Sequence, residues 1–282
     1  MKISIITPTW NRCGSLTRMI QSVEMQAQRP MEHLIVDNLS TDDTGSLITA
    51  YAARAPYPVI HMREGDKGIY DAINQGAAKA QGDALYFLND DDSLFRPNSL
   101  ALLSAALKLA PDGVAFGDVI VRNPNSGTER RRNHRQMNRL TLAEKSICQQ
   151  ATIYSRRAFD AVGFFDAGLK AAGDYDWMIR GLVGHRIPAI YLRSVIAVFA
   201  SGGISSDPAR SEEFRAEMRL VTERHFSATI RSRALRYRRF WRKLPWGLNW
   251  CPGYEHADRL SVTSRTAFQN YLLPDPLALL DF

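Results

Sequence analysis

The sequence predicts an α/β protein whose central sheet is mostly parallel, with helices on both faces and a helical extension at the C-terminal end. Two observations carry this prediction. Short apolar runs alternate with amphipathic stretches over the first 120 residues, and the run at 84–88 is apolar at every position. Strands buried on both faces have this composition, and alternating strands and helices build a parallel sheet with right-handed crossovers. A chain of 282 residues can bury the large core that such a sheet requires.

The bounds of the individual elements follow from the periodicity of the apolar positions. Strands are predicted at 2–7, 32–37, 58–62, 83–88 and 113–121, and helices at 14–27, 41–53, 69–80 and 98–109. After residue 121 the alternation is lost, and a turn at 123–127 precedes the basic stretch 130–135. Further elements are a helix at 175–184, strands at 187–192 and 195–199, and a helix from 208 to 225. The tail from residue 245 has no assignable pattern.

Composition and cysteine content indicate a globular protein of a reducing compartment. The three cysteines lie far apart and form no CxxC pair, which argues against a structural zinc site and against a disulfide framework. The N-terminal apolar stretch is too short for a signal peptide, and no apolar run reaches membrane-spanning length. We therefore expect a cytoplasmic protein.

Three consecutive aspartates, Asp90, Asp91 and Asp92, follow the predicted strand at 83–88. Open α/β sheets bind ligands beyond the carboxyl ends of their strands. Adjacent carboxylates repel one another unless a positive charge lies between them, and a hard divalent cation with oxygen ligands meets that need. An acidic turn or helix cap is the alternative, since Asp and Asn favour such positions. The cluster by itself leaves both interpretations open.

The loops after the other predicted strands carry groups that suit a nucleoside diphosphate. They read PTWNR from residue 8, DNLSTD from residue 37 and REGDKG from residue 63. In a parallel sheet these loops meet at one edge, where Asp37 can accept from a base or ribose and Lys67 can approach phosphate. Each residue alone is an ordinary loop residue, whereas four such loops at one edge favour a binding site. Neither a GxGxxG turn nor a GxxxxGK[ST] loop is present.

Taken together, these stretches resemble the family 2 glycosyltransferases, which have the GT-A fold. The matching motifs are IITPTWNR, IVDNLSTDDT, GDKGIYDAINQGAAKAQGD and FLNDDD, followed by CQQ at 148–150, VGFFD at 162–166, AGDYD at 172–176 and GGIS at 202–205. The DKGIYDA block is the most specific of them and is similar to that of bacterial exopolysaccharide, O-antigen and colanic-acid transferases. The resemblance covers about residues 1–225.

The resemblance implies a GT-A domain at 1–225, with a nucleotide-binding part at 1–121 and an acceptor and catalytic part at 122–225, followed by an extension at 226–282. It implies a donor site formed by Pro8, Thr9, Asn11, Arg12, Asp37, Asp66, Lys67 and Asp90. It also implies a Mn²⁺ or Mg²⁺ ion held by Asp91, with Asp90 or Asp92 as an auxiliary ligand. Asn89 stands where the family's metal motif has an acid, and its amide oxygen can still ligate a hard cation.

The resemblance further implies that Asp174 is the catalytic base. The family carries a Glu-Asp pair at the start of a helix, and here the pair reads Gly173-Asp174, so the first acid is absent. In an inverting transfer the attacking hydroxyl must lose its proton as it bonds to the anomeric carbon. Asp174 also suits a helix N-cap, and the two roles are compatible. Arg180 can approach the diphosphate or pair with Asp176 four residues earlier, and the structural role is favoured.

The segment 231–243 holds seven Lys or Arg and no acid, and it accounts for the whole formal net charge of +7. An apolar stripe recurs through it at helical spacing: Ala234, Tyr237, Phe240, Trp241 and Leu244. This pattern fits a helix that lies on an anionic membrane surface through 231–244, with a solvated helix and a nucleic-acid-binding helix as alternatives. The resemblance favours the membrane, because related transferases elongate lipid-linked sugars, and no nucleic-acid partner is expected.

The combined interpretation is a metal-dependent, inverting glycosyltransferase of bacterial surface polysaccharide synthesis, peripheral on the inner face of the plasma membrane. It would move a sugar from a nucleotide-diphosphate donor, a UDP-sugar, to a saccharide or polyprenyl-linked acceptor. One alternative is a sugar nucleotidyltransferase, although the Gly-rich, Arg-containing loop expected after its first strand is missing. Another is a non-catalytic membrane or nucleic-acid binding protein, which leaves the acidic cluster and Asp174 unexplained.

Overall fold

The computed structural model describes residues 1–124, 126–135, 137–201 and 211–243. Within these ranges the strands are β1 (Ile3–Thr9), β2 (Glu32–Asp37), β3 (Val59–Arg63), β4 (Ala84–Phe87), β5 (Ser93–Leu94), β6 (Val114–Arg122), β7 (Glu129–Arg132), β8 (Thr152–Ser155) and β9 (Ala189–Ala200). The α-helices are α1 (Cys13–Glu24), α2 (Thr44–Arg54), α3 (Ile69–Lys79), α4 (Ser99–Leu107), α5 (Arg139–Leu142), α6 (Arg156–Val162), α7 (Gly173–Ile179), α8 (Ser211–His225) and α9 (Ala228–Lys243). A 3₁₀ turn at Gln149–Ala151 and a π-helix at Arg180–His185 complete these elements.

The described strands form one sheet of order β3-β2-β1-β4-β8-β6-β9-β5, with β7 paired to β6. Its N-terminal half is parallel, because β1 pairs with β2 and β4, and β2 pairs with β3. The strand predicted at 32–37 matches β2 residue for residue. For the other four strands predicted before residue 122, the first and last residues each lie within two residues of those observed. This half confirms the parallel α/β layout that the alternating pattern predicts.

The C-terminal half of the sheet is mixed. Strand β8 is antiparallel to both β4 and β6, whereas β6 and β9 are parallel to each other. β9 is one strand of 12 residues where the pattern predicts two short strands. A register shift opposite Asp118 accommodates Arg193 and Ser194 without ending the strand, as a β-bulge does.

Helices cover both faces of the sheet, as predicted. On one face Ile20 of α1 and Leu103 of α4 belong to one buried cluster. On the other face Ile73 of α3, Trp177 of α7 and Val221 of α8 belong to a second cluster. The buried residues of β1, β2 and β4 alternate between these two clusters, which is why the strands are apolar on both faces.

Helix α9 packs the first part of its apolar stripe on the α/β domain. Ala234 is buried in the same cluster as Trp177, and Ile230 packs against that cluster. The later members of the predicted stripe, Tyr237, Phe240, Trp241 and Leu244, lie outside the described side chains, as does the tail from residue 245. Among the described residues, every helix is too short or too polar to cross a bilayer. Contact of 231–244 with a membrane surface therefore stays a prediction.

Candidate active site

A cavity of about 1070 Å³ opens at the carboxyl ends of the parallel strands. Its first side is formed by the loops after β1, β2, β3 and β4, with Trp10, Arg12, Asn38, Asp66 and the run 89–91. Its second side is formed by β7, the segment after it and the start of α7, with Arg132, Lys145, Gln149 and Asp174. Parallel strands bring the loops that follow them to one edge. The prediction that the loops after these strands meet at one edge of the sheet is therefore confirmed.

Seven of the predicted site residues line this cavity. They are Pro8, Thr9, Arg12, Asp66, Asp90, Asp91 and Asp174. The other four, Asn11, Asp37, Lys67 and Asp92, do not line it. The cavity also includes Trp10, whose side chain is 61% exposed and which offers a free aromatic face for a planar ring.

Asn11 and Asp37 connect the loops instead of facing the cavity. Asn11 adopts a left-handed conformation with φ of 51°, and its side-chain oxygen accepts the Thr41 N–H at 2.8 Å. Asp37 is fully buried, and its two oxygens accept the Ser40 N–H at 2.9 Å and pair with His61 Nε2 at 3.0 Å. Both residues thus hold the first two loops in place. The contact of Asp37 with a base or ribose stays a prediction.

Asp92 and Lys67 are likewise absent from the cavity lining. Asp92 is 2% exposed, and its carboxylate accepts the Ala200 N–H at 2.8 Å on the far side of the turn. Lys67 is exposed, and its backbone N–H bonds to the Asp71 carboxylate at 2.9 Å. The other oxygen of Asp92, Oδ2, has no hydrogen-bond partner among the described residues, and the charges of Asp91 and Asp90 add to the effect of burial in raising the pKa of Asp92.

The acidic run presents oxygen atoms to the cavity. The Thr9 hydroxyl donates to Asp90 at 2.7 Å, and burial nevertheless raises the pKa of Asp90 to about 7. Burial also raises the pKa of Asp91, while the positive charge of Arg12 opposes the increase. The buried side-chain oxygen of Asn89 has no hydrogen-bond partner among the described residues. An unsatisfied amide oxygen beside two carboxylates fits the oxygen preference of Mg²⁺ or Mn²⁺. No group of three His, Cys, Asp or Glu side chains in the described part of the chain forms a metal site by itself.

Asp174 lies in the first turn of α7 and lines the same cavity as the acidic run. The hydroxyl of buried Tyr70 in α3 donates a hydrogen bond of 3.0 Å to its Oδ1 atom. Burial raises the pKa of Asp174 to about 6, although the bond from Tyr70 and the positive charge of Arg132 act in the opposite direction. A carboxylate with this pKa is ionised near neutral pH and is still basic enough to accept a proton.

The absence of a side chain at Gly173 makes room for Tyr70. A Cβ atom at position 173 would lie 2.8 Å from two carbon atoms of the tyrosine ring and 2.9 Å from a third. Distances this short do not occur between carbon atoms in contact, so a larger residue would displace the ring. The packing of Tyr70 therefore favours glycine at position 173. The sequence contains both residues, but no local pattern indicates that they touch.

The start of α7 is stabilised from α8. The Glu217 carboxylate accepts the backbone N–H groups of Lys170, Ala171 and Ala172 at 2.8, 2.8 and 3.1 Å. The N-cap residue Ala172 has no side-chain oxygen of its own, so Glu217 supplies from another helix the anionic acceptor that a helix N-terminus favours. Trp177 anchors the other face of α7 by donating to the Gly163 carbonyl at 2.7 Å. Sequence analysis missed the role of Glu217, because its contacts are more than 40 residues away.

Asp176 does not act on Asp174. Its carboxylate pairs with Arg180 Nε and with His225 Nε2, both at 2.7 Å, and it is almost fully buried on the other side of α7. Arg180 also donates to the carbonyl groups of Val162 and Phe164 at 2.7 Å. The interpretation of Arg180 as a structural ion-pair partner is confirmed.

The basic stretch after the β6–β7 turn forms part of the second side of the cavity. Arg131 is held by buried Asp118, which also accepts from the Tyr191 hydroxyl and the His134 backbone N–H. Arg130 and Arg132 line the cavity together with Arg131. Sequence analysis noted this stretch without assigning it a role, since its position beside Asp174 depends on the sheet order.

Comparisons with known proteins agree with this geometry. The family model described as glycosyl transferase family 2 matches residues 4–163. The PGL/p-HBAD biosynthesis glycosyltransferase of Mycobacterium tuberculosis is 31% identical over 220 residues, covering 78% of this chain and 84% of that protein. Staphylococcus aureus TarS 1–349 in complex with UDP-GlcNAc has a TM-score of 0.62 at 21% identity, covering 78% of this chain and 65% of that one. The mannosyltransferase PcManGT from Pyrobaculum calidifontis, in complex with GDP-Man and Mn²⁺, has a TM-score of 0.65 at 18% identity, covering 88% and 72%. At these identities the two structures show likeness of fold alone.

Proposed function

The chain belongs to glycosyl transferase family 2, and on that premise we propose that it is an inverting enzyme that transfers a sugar from a UDP-sugar to a saccharide acceptor. The observation that carries the proposal is the position of Asp174 in the same cavity as the acidic run 89–91. A transferase of this kind needs a base at the acceptor hydroxyl and a separate site for the diphosphate leaving group. Two such sites in one cavity match that requirement.

We assign the donor to the first side of the cavity. Trp10 offers a face for the base, and Arg12 lies where its guanidinium can bond phosphate oxygens. The complexes of TarS with UDP-GlcNAc and of PcManGT with GDP-Man support a nucleoside diphosphate sugar as the donor class. UDP is the nucleotide we propose, and a panel of donors tests that choice directly.

A divalent cation would be held by Asp91 and Asn89, with Asp90 beside them, because these residues present the oxygen atoms that face the cavity. Such an ion, when bound, would stabilise the negative charge that develops on the diphosphate. The Mn²⁺ in the PcManGT complex supports this assignment. Asp92 is left out of the ligand set because it does not line the cavity, although only its Oδ1 atom bonds to the Ala200 N–H and its Oδ2 atom has no partner among the described residues.

Asp174 acts as the general base. The acceptor oxygen forms a bond to the anomeric carbon while the bond from that carbon to the diphosphate oxygen breaks, and the hydroxyl proton passes to the Asp174 carboxylate. This single displacement inverts the configuration at the anomeric carbon. Tyr70 orients the carboxylate by donating to Oδ1, which leaves Oδ2 for the acceptor hydroxyl. The two oxygens thus have separate roles.

We propose a saccharide or polyprenyl-linked acceptor at the inner face of a bacterial plasma membrane, in surface polysaccharide synthesis. The exposed Arg233 and Arg236 on α9 support contact with anionic headgroups, although Ala234 on the same helix packs on the protein. Flotation with vesicles that contain or lack an anionic lipid tests this contact. Binding that ignores lipid charge, or no binding, would contradict it.

Calorimetry and product assays together test the function. We expect UDP to bind, more tightly with Mn²⁺ present, and one nucleotide sugar from a panel to release its nucleoside diphosphate in the presence of acceptor. Asp174→Asn should bind UDP like the wild type and lose at least about 100-fold in transfer rate, the contribution typical of a general base. Transfer near the wild-type rate in this variant would refute the assignment of the base.

A further inference from the structure

Three basic side chains on the second side of the cavity, Arg130, Arg132 and Lys145, form a group that we call the cationic wall. The Arg132 guanidinium donates to the Ser146 carbonyl at 2.7 Å, which fixes it beside the segment that leads to Gln149. In the part of the chain that the structure describes, no carboxylate lies within salt-bridge distance of these three side chains. The carboxylates of Glu144 and Asp174 line the same cavity, and the charge of Arg132 acts on Asp174, but neither forms an ion pair with the cationic wall.

The neighbouring arginine shows the contrast. Arg131, which also lines the cavity, differs in that its charge is matched by the buried carboxylate of Asp118 at 2.8 Å. Arg130 and Arg132 share one face of the strand, about 7 Å apart along it, so their charges repel each other unless an anion lies between them. Two guanidinium groups on one face of a strand, both toward a cavity, can donate hydrogen bonds to the oxygen atoms of one phosphate.

The cationic wall lies on the catalytic side of the cavity. Arg132 and Asp174 both line the cavity, and the positive charge of Arg132 lowers the pKa of the carboxylate that receives the acceptor proton. Gln149 lines the same region, and its buried side-chain nitrogen has no hydrogen-bond partner among the described residues. An unsatisfied donor there is a second feature that suits an anionic oxygen.

We propose that Arg130, Arg132 and Lys145 bind a phosphate or diphosphate group that is attached to the acceptor saccharide. The inference rests on the proposed transferase function and names the class of its acceptor. The donor diphosphate is assigned to the first side of the cavity, where Arg12 and the acidic run lie, so a second anion-binding group beside Asp174 is available to the acceptor. A neutral acceptor would leave the cationic wall without a ligand.

Charged residues on an edge strand have another known use, since they prevent sheets from pairing edge to edge. β7 is such an edge strand. That use accounts for charge on β7 but not for Lys145, which lies outside the strand and lines the same cavity. Protection of the sheet edge requires no ligand, whereas the proposed role requires that the protein binds an anion, so a binding measurement distinguishes the two.

The test is a titration of inorganic pyrophosphate into the full chain saturated with UDP, so that the donor site is occupied. We expect one further binding event, weakened by added NaCl because it is electrostatic. It should be about tenfold weaker in Arg130→Gln and in Arg132→Gln, as expected for a lost charge-assisted hydrogen bond. Arg157→Gln is the matched control, because Arg157 is exposed and pairs with Asp112 outside the cavity. Unchanged UDP affinity in each variant shows that it is folded.

A second assay compares acceptors that carry the anion in different ways. Three acceptors are compared: a glycoside linked through diphosphate to a short prenol, a glycoside that bears a phosphodiester, and an uncharged octyl glycoside. We expect KM to be at least about tenfold lower for one of the anionic acceptors, with the difference lost in Arg132→Gln. The better of the two identifies whether the phosphate belongs to a lipid or to a polymer.

The outcomes separate the two proposals. If UDP itself does not bind, the proposed function fails, and this inference fails with it. If UDP binds but pyrophosphate does not bind the UDP-saturated protein, only the inference is overturned. The inference is also overturned if UDP displaces pyrophosphate, if every variant binds it equally, or if all three acceptors have the same KM.

Discussion

The hydroxyl of Tyr70 and the carboxylate of Asp174 are joined by a hydrogen bond of 3.0 Å although they are 104 residues apart in the chain. The bond connects α3, in the part at 1–121, to α7, in the part at 122–225. Gly173 makes this contact possible because it leaves space for the tyrosine ring. The two parts of the domain thus meet at the proposed base.

Replacing Tyr70 with Phe should lower kcat about tenfold while the KM for the donor changes little. The ring and its packing are kept, and only the bond that orients Asp174 is lost. Because that bond lowers the pKa of Asp174, its loss should also move the acidic limb of the pH–rate profile to higher pH. Tyr154→Phe is the control, since the buried Tyr154 hydroxyl has no hydrogen-bond partner among the described residues. A kcat equal to that of the control would exclude a positioning role.

The rate of the wild-type enzyme should fall as the pH drops through about 6. The base works as a carboxylate, and burial raises the pKa of Asp174 to about 6, so protonation below that pH removes the active form. The expected slope below the pKa is about tenfold per pH unit. UDP affinity measured over the same pH range distinguishes protonation of Asp174 from weaker binding of the donor. A rate that stays level down to about pH 4, near the ordinary pKa of an aspartate, would contradict the raised pKa.

Substituting Gly173 with Ala should destabilise the protein by about 1–3 kcal/mol, the usual result of overpacking. The added methyl group would meet the Tyr70 ring at 2.8 Å, and both groups lie in the core. Gly184→Ala is the matched control, because a Cβ at that position meets no atom within 4 Å. Chemical denaturation measures both. Equal free energies of unfolding for the two variants would show that the ring can move without cost.

Glu217→Ala should both destabilise the protein, by about 1–3 kcal/mol, and reduce kcat. Three backbone N–H groups before α7 lose their anionic acceptor, and the turn that carries Asp174 loosens. Glu212→Ala on the same helix serves as control, since Glu212 is exposed and away from these bonds. Denaturation and steady-state kinetics are the two readouts. If the Glu217 variant matches the control in both, α8 does not support the active site.

Asp91→Asn should weaken Mn²⁺ activation at least about tenfold, because it removes the anionic oxygen proposed to face the ion. Asp92→Asn should retain the metal response, since the Asp92 carboxylate lies outside the cavity and bonds to Ala200. Titrations of activity and of UDP binding with Mn²⁺ after chelator treatment compare the two variants. A greater effect at Asp92 would reverse the assignment of ligands.

Periodicity located the strands of the parallel half and the helices between them, because each of these elements carries its apolar residues at regular spacing. The same reasoning failed to predict that β9 is continuous, since the bulge opposite Asp118 interrupts the alternation without interrupting the strand. It also did not place β8, a strand of four residues, antiparallel between β4 and β6. A strand of four residues is too short for its apolar spacing to be recognised in the sequence. Whether two strands pair in parallel or antiparallel has no effect on that spacing.

Local motifs were likewise sufficient to identify seven of the eleven predicted site residues as cavity residues. The reason is that residues following parallel strands reach the same edge wherever the strands lie in the sheet. The direction in which each side chain points required the folded chain. Asp91 faces the cavity and Asp92 faces β9, although they are neighbours in sequence. The partners of Asp174, namely Tyr70, Arg132 and the support from Glu217, come from three distant segments. Contacts of this kind arise from packing between elements, which residue types and spacing along the chain do not specify.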